Sequence, residues 1–308
     1  MTAHAPPDAR LERVLRAIWP GQESRTSLLP GGITNHNFLV EVGDERFVAR
    51  LAGAGTELLG IDREAERAAA EAAASVGVGP EVVAFLPELG CLVTRFIEGT
   101  GISTERMRDA DMLQRVVPAI RAFHDGQELP STFSPFEIVV RFRDEAARRD
   151  VRIPDEYGPM LERARAIEAA FAVHPGPVLP CHNDLLNANF LLQGDRVWIV
   201  DYEYAGMNDP FFDLGNLATK HDFEDAHDEL LLACYFGEVT DGRMARLKLM
   251  KVMADFWEAM WGVLQQGIST LDFDYVGYAA ANFERGRQHA SDRRYRTWLR
   301  DAAATGAA

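Results

Sequence analysis

Lysine is almost absent from this sequence. Only three of its 32 basic residues are lysines, Lys220, Lys248 and Lys251, so any cation that binds phosphate within the first two hundred residues must be arginine. Cysteine is scarce too. Cys91, Cys181 and Cys234 are odd in number and widely spaced, which excludes a disulfide framework or a zinc cluster as the economical reading and leaves reduced, mostly buried thiols. The longest apolar stretches are broken by charges well short of a membrane span, and the opening MTAHAPPDARLERV lacks the basic-then-apolar plan of a signal peptide. A cytoplasmic protein without membrane insertion is expected. There is no basic excess either: the formal charge of −15 repels nucleic acid and anionic membrane surfaces, and is compatible with a cationic small molecule.

What is present is ordinary for a soluble globular chain. The 308 residues, 47% hydrophobic and 26% charged, suffice for one large domain or two. DARLERVLRAIW places Leu11, Val14, Leu15 and Ile18 on one helical face, with Asp8 as a cap. TSLLP, HNFLVEV and ERFVARL read as three strands, the first pair linked by GGITN and the second by a GDE turn. DREAERAAAEAAASVG reads as a helix, and PEVVAFL and CLVTRFI resume the sheet around a PELG turn. Beyond EGTGIS, helical patterns dominate at 104–125, 136–149, 156–172 and most of 209–300. The expectation is an α+β chain of two lobes in the manner of protein kinases. Residues 1–97 would form a small antiparallel-sheet lobe that binds nucleotide, and 98–308 a larger, mainly helical lobe that binds acceptor and carries the catalytic residues.

The chemistry concentrates in PCHNDLLNANFLLQGDRVWIVDYEYAGMNDPFFDLGN, residues 180–216. Asp184 and Asn189 lie five positions apart, and a strand pattern, VWIV, leads directly into Asp201. Carboxylate and amide oxygens of that kind suit a hard cation such as Mg²⁺ bound together with substrate phosphates. With a glycine turn between the first strands, this is the layout for holding ATP between two lobes. Gly31 and Gly32, with Thr34 and Asn35, would let backbone N–H groups approach the phosphates. Asp184 would take or orient the proton of an attacking hydroxyl, Asn189 and Asp201 would hold Mg²⁺, and His182 would brace the loop. Alone, HNDLLNAN is also compatible with a polar loop; the order of the elements carries the reading.

GGITNHNFLV, HNDLLNANFLL and VDYEYAGMNDPFFDLGN resemble the choline and ethanolamine kinase branch of the aminoglycoside phosphotransferase group, whose fold is similar to that of protein kinases. MWGVLQ and LDFDYVGYAAANFERGR also look like that branch, so the resemblance spans nearly the whole chain. It implies an ATP- and Mg²⁺-dependent kinase acting on the hydroxyl of a small, cationic amino alcohol. It also implies that Arg50, in RFVARLAG, clamps the ATP phosphates where protein kinases use lysine, with Glu66 rather than Glu64 as its carboxylate. Residues 93–99 would be the hinge that pairs with adenine.

A substrate ammonium is recognised by aromatic faces and carboxylates. The candidates are Tyr202, Glu203, Tyr204, Asp209, Trp257, Glu258 and Trp261, although Trp257 and Trp261 also read as core by their i, i+4 spacing. Two departures from choline kinases stand out: Glu258 where that branch carries a tryptophan, and Lys220 near the position of an acidic residue. They point away from choline itself and toward ethanolamine, a related amino alcohol or thiamine. An antibiotic phosphotransferase and a catalytically silent ATP-binding module are the other readings.

Overall fold

The computed structural model describes residues 9–30, 35–53, 55–269 and 271–304. Asp8, Gly31, Gly32 and Thr34 lie outside the described residues.

The N-terminal part is helix α1 (Ala9–Ile18) and an antiparallel sheet of β1 (Ser24–Leu28), β2 (Asn35–Val42), β3 (Glu45–Ala52), β4 (Val82–Leu86) and β5 (Cys91–Arg95), in the order β1-β2-β3-β5-β4. Helix α2 (Arg63–Ser75) is inserted between β3 and β4. It starts where Asp62 accepts hydrogen bonds from the backbone N–H groups of Glu64 and Ala65. The period-two alternation of β3 separates two environments. Phe47, Ala49 and Leu51 are buried together with Leu11 and Val14 of α1, whereas Val48 and Arg50 face a cavity. The neighbouring strand alternates in step, with Cys91 and Val93 on the α1 side and Leu92 and Thr94 toward the cavity. Arg50 is thus aimed by the pleat of a central strand, paired with Asn37 on one side and Leu92 on the other.

The remainder is mainly helical. It comprises β6 (Thr100–Gly101), α3 (Thr104–Met107), α4 (Ala110–His124), α5 (Pro135–Ala147) and α6 (Tyr157–Val173), then the short strands β7 (Leu179–Cys181), β8 (Phe190–Gln193), β9 (Arg196–Ile199) and β10 (Gly206–Asn208). Helices α7 (Pro210–Lys220), α8 (Asp225–Phe236), α9 (Asp241–Ile268), α10 (Tyr275–Ala290) and α11 (Tyr295–Ala304) complete it. One helix was expected over 104–125; there are two, because Asp109 takes an extended conformation and starts a new helix while its carboxylate pairs with Arg106 at 2.6 Å. No helix among the described residues is long and apolar enough to cross a membrane.

Helix α9 is the axis of this part, buried along nearly its whole length. It meets α7 closely at Gly215, where an added Cβ would stand 2.7 Å from the Met250 carbonyl carbon. Only glycine permits that approach, which fixes the spacing between α7 and α9. All three lysines lie in this packing. Lys248 pairs with Asp225 and Asp228 at 2.5 and 2.6 Å, Lys251 donates to Asp228 and the Phe223 carbonyl at 2.9 and 2.7 Å, and Lys220 reaches Glu258 at 2.5 Å. Their side chains are 14%, 8% and 3% exposed, in the order 220, 248 and 251.

Candidate active site

The loop after β7 is held largely by side chains that bind its backbone N–H groups. β7 pairs antiparallel with β10, Cys181 opposite Gly206, and this brings 182–184 beside 202–208. Asn183 takes a left-handed backbone conformation, φ 66°, which asparagine tolerates better than most residues. Its amide donates to the Tyr204 carbonyl at 3.0 Å and accepts from Asn208 at 2.8 Å. The backbone N–H groups of His182 and Asn183 both donate to the buried Asp213 carboxylate, at 2.8 and 2.6 Å, and Leu185 N–H donates to Asn216 at 2.7 Å. Asp213 and Asn216 are one turn apart on α7, so a single helix face grips the loop. His124, bonded to Tyr235, closes the other side of Asp213 at 2.9 Å.

His182 is fully buried and points away from the cavity. Its Nδ1 accepts the Asp184 N–H at 3.3 Å and its Nε2 lies 3.0 Å from the Val200 carbonyl, tying the loop to the end of β9. Asp184 and Asn189 line the cavity, and the Asn189 amide nitrogen donates to the Asp184 carbonyl at 2.9 Å, leaving its oxygen available as a ligand. Asp201 follows β9 with φ 73° and lines the same cavity. An amide oxygen and a carboxylate converging on one space fit a hard divalent cation and suit no soft metal.

Arg50 is the centre of a charge network. Its guanidinium is hydrogen-bonded to Asp201, lies 3.1 Å from Glu203 and 3.3 Å from Glu66, and is 11% exposed. Glu66 is buried and is also held by Arg63 at 2.6 Å; Glu64 is exposed and pairs with Arg67. Arg63 reaches Asn35 and Thr56 at 3.0 and 2.9 Å. Burial alone would lower the Arg50 pKa, but the carboxylates of Asp201, Glu66 and Glu203 outweigh it and raise it. Glu203 accepts from Asn35 at 2.8 Å and from Arg63 at 3.3 Å, and forms an ion pair with Arg50 at 3.1 Å. Its carboxylate is therefore engaged on the arginine side, and burial pushes it up to about 7 against the opposing pull of Arg50.

The cavity, of about 630 Å³, runs from Leu92, Thr94, Phe96 and Ile97 under the sheet to Tyr204, Trp257 and Trp261 on the helical side. Trp261 Nε1 donates to the Tyr204 hydroxyl at 2.9 Å, and Trp257 meets the Tyr204 ring edge-on at 5.2 Å. Both tryptophans are buried, at 2% and 5% exposure, so they are core residues and cavity wall at once. Tyr202 lines the cavity against His182, with ring centres 4.8 Å apart. Asp209 is not among the lining residues. It precedes Pro210 and caps α7, accepting the Phe211 N–H at 2.9 Å, while its other oxygen faces Arg246 at 3.4 Å; the Asp-Pro pair is a helix start.

Glu258 and Lys220, read from the sequence as two separate departures, form one ion pair at 2.5 Å. Tyr278 of α10 joins them, hydrogen-bonded to both. Burial drives the Asp184 carboxyl well above the usual carboxylate range; nearby Glu258 adds to this and Lys220 tempers it. Asp213, Asn183 and Tyr278 were not singled out from sequence. The lone carboxylate inside the apolar PFFDLGN was the signal available for Asp213.

The sequence model of the "Phosphotransferase enzyme family" matches residues 25–248. Among curated proteins, ethanolamine kinase 2 of Mus musculus is 25% identical, covering 90% of this chain and 79% of its own. A solved choline/ethanolamine kinase family protein from Mesorhizobium loti is 33% identical with a TM-score of 0.83, over 96% of this chain and 98% of that one. The choline kinase LicA of Streptococcus pneumoniae superposes with a TM-score of 0.78 at 23% identity, over 91% and 96% of the two chains, a likeness of fold.

Proposed function

The chain belongs to the phosphotransferase enzyme family, as a phosphotransferase with an alcohol group as acceptor, and from that premise we propose that it transfers the γ-phosphoryl group of ATP to a choline- or ethanolamine-like amino alcohol in a Mg²⁺-dependent reaction. The observation that carries this reading is the convergence of Asp184, Asn189, Asp201 and Arg50 on one cavity whose far wall is Tyr204, Trp257 and Trp261. Adenine would lie under the sheet by residues 93–99, in a nucleotide lobe ending near residue 97, and the acceptor between the aromatic wall and Asp184. Arg50, braced by Glu66, would receive the phosphates with Asn35 nearby; its present bond to Asp201 would yield to nucleotide and metal. Asn189 and Asp201 would hold Mg²⁺, which when bound neutralises charge on the phosphate oxygens. Asp184 accepts the acceptor's proton as its oxygen bonds to the γ-phosphorus and the bond to the ADP oxygen breaks. Asp213, through the N–H groups of His182 and Asn183, fixes where that carboxylate stands. This chemistry belongs to the cytoplasm, where ATP is plentiful.

A coupled assay for ADP release tests the reading against choline, ethanolamine, thiamine, an aminoglycoside and a macrolide. Turnover is expected with an amino alcohol and should vanish on chelation of divalent cations. Release only with the antibiotics, or nucleotide binding with no turnover at all, would refute it. Asp201→Asn should raise the Mg²⁺ concentration for half-maximal rate by about tenfold or more, because a hard cation loses its charged ligand. An unchanged metal dependence removes Asp201 from that role. Arg50→Lys should raise KM for ATP, since a single ammonium cannot span the three carboxylates that the planar guanidinium touches. A lysine variant with wild-type KM would leave Arg50 a purely structural part of the network.

A further inference from the structure

The acceptor end of the cavity already contains a cation. Lys220, the last residue of α7, places its ammonium 2.5 Å from Glu258 of α9, 3.0 Å from the Tyr278 hydroxyl of α10 and 5.6 Å from the centre of the Tyr278 ring. Trp261 meets that ring edge-on at 5.6 Å, and Lys220, Glu258, Tyr278 and Trp261 share the cavity with Asp184. A carboxylate and an aromatic face around a desolvated ammonium is the chemistry by which proteins hold amine ligands. Here the chain's own side chain fills the seat. We propose that Lys220 determines acceptor specificity by occupying the seat of a substrate nitrogen, so that the site refuses quaternary ammonium alcohols and takes alcohols bearing a primary amine. The proposal rests on the kinase reading above for the reaction itself.

The two kinds of head group differ in what they can do beside a fixed cation. A trimethylammonium group is permanently charged and has no N–H, so it depends on an unmatched carboxylate and an open aromatic face. Glu258 is matched by Lys220, and a second fixed charge within a few ångströms is repelled. A primary amine can leave its proton in water and enter uncharged. It then accepts a hydrogen bond from Lys220, whose three N–H groups have two partners, Glu258 and Tyr278.

Emptying the seat tests this. Thermal melts of wild type, Lys220→Ala and Lys220→Gln are compared with and without millimolar choline, and KM is measured for choline and ethanolamine. Lys220→Ala should melt below wild type, because Glu258 loses its counter-ion and keeps only the Tyr278 hydroxyl, and choline should restore part of the loss while leaving the wild-type melt unmoved. KM for choline should fall roughly thirty-fold in Lys220→Ala, the worth of a desolvated cation–π contact. Lys220→Gln keeps a donor for Glu258 without the charge, so it answers even if the alanine variant does not fold, with a smaller gain in the same direction. Wild type stabilised by choline as strongly as the variants, or no choline response in either variant, overturns the proposal. Wild-type turnover of ethanolamine combined with no response in the variants sinks the seat and keeps the kinase. Choline-dependent stabilisation of the variants with no phosphoryl transfer by any chain does the reverse.

Discussion

Asp184→Asn will lower kcat by roughly 10²–10⁴-fold and will not lower the melting temperature. The first half follows from position: Asp184 shares the cavity with Asn189 and Asp201, and it also feels the charges of Glu258 and Lys220. The second follows from electrostatics. Burial and the neighbouring Glu258 push its carboxyl well above the usual range, so folding favours its protonated form. Its support for the fold is full at low pH and is withdrawn as pH rises past the ordinary carboxylate range. At neutral pH that support has been withdrawn, and the isosteric amide, which has no charge to bury, is free of the penalty. Matched melts and single-turnover rates check both halves. A variant with near-wild-type kcat eliminates Asp184 as the proton acceptor, and one that melts well below wild type gives it a structural role instead.

Asp213 should behave in the opposite way, losing fold and rate together. Its two oxygens accept from His182 N–H, Asn183 N–H and His124, all in a buried setting. Asp213→Ala leaves those donors without a partner, which costs on the order of 3–5 kcal/mol. A melting temperature lower by about 10 °C is the corresponding shift. Asp213→Asn is the sharper probe, because it keeps the shape and one carbonyl acceptor but presents an N–H to a loop that needs an oxygen. It should remain folded, keep KM for ATP and lose kcat, since the loop that carries Asp184 shifts while the arginine network under the sheet does not. Equal losses in KM for ATP and kcat would mean that Asp213 supports the whole core rather than this loop.

These two residues also mark what could be read from the chain alone. Asp184 sits in a motif whose members are near one another in sequence, so residue types and spacing carry its chemistry. The sheet was legible for a similar reason: the alternation of Phe47, Ala49 and Leu51 with Val48 and Arg50 is local. Asp213 acts on backbone N–H groups, which every residue but proline possesses, so its partners leave no mark in the sequence. Glu258 and Lys220 are on different helices, and only the close approach of α7 to α9 at Gly215 makes one ion pair of two apparent departures. Asp209 shows the converse. Its acidic side chain beside an aromatic-rich segment suggested ligand contact, yet the proline after it was the stronger signal, and it caps α7.

The seclusion of all three lysines makes the folded chain nearly blind to reagents that acylate side-chain amines. Lys248 and Lys251 are locked to Asp228 beneath α8, so their modification must wait for α8 to part from α9. Lys220 alone borders a space that solutes enter. A dilute acylating reagent followed by peptide mapping therefore reads two processes on one molecule: the rate at Lys248 and Lys251 counts openings of the helical core, and the rate at Lys220 tracks occupancy of the cavity. Because arginine supplies nearly every other basic site, neither signal is lost in a background of surface amines.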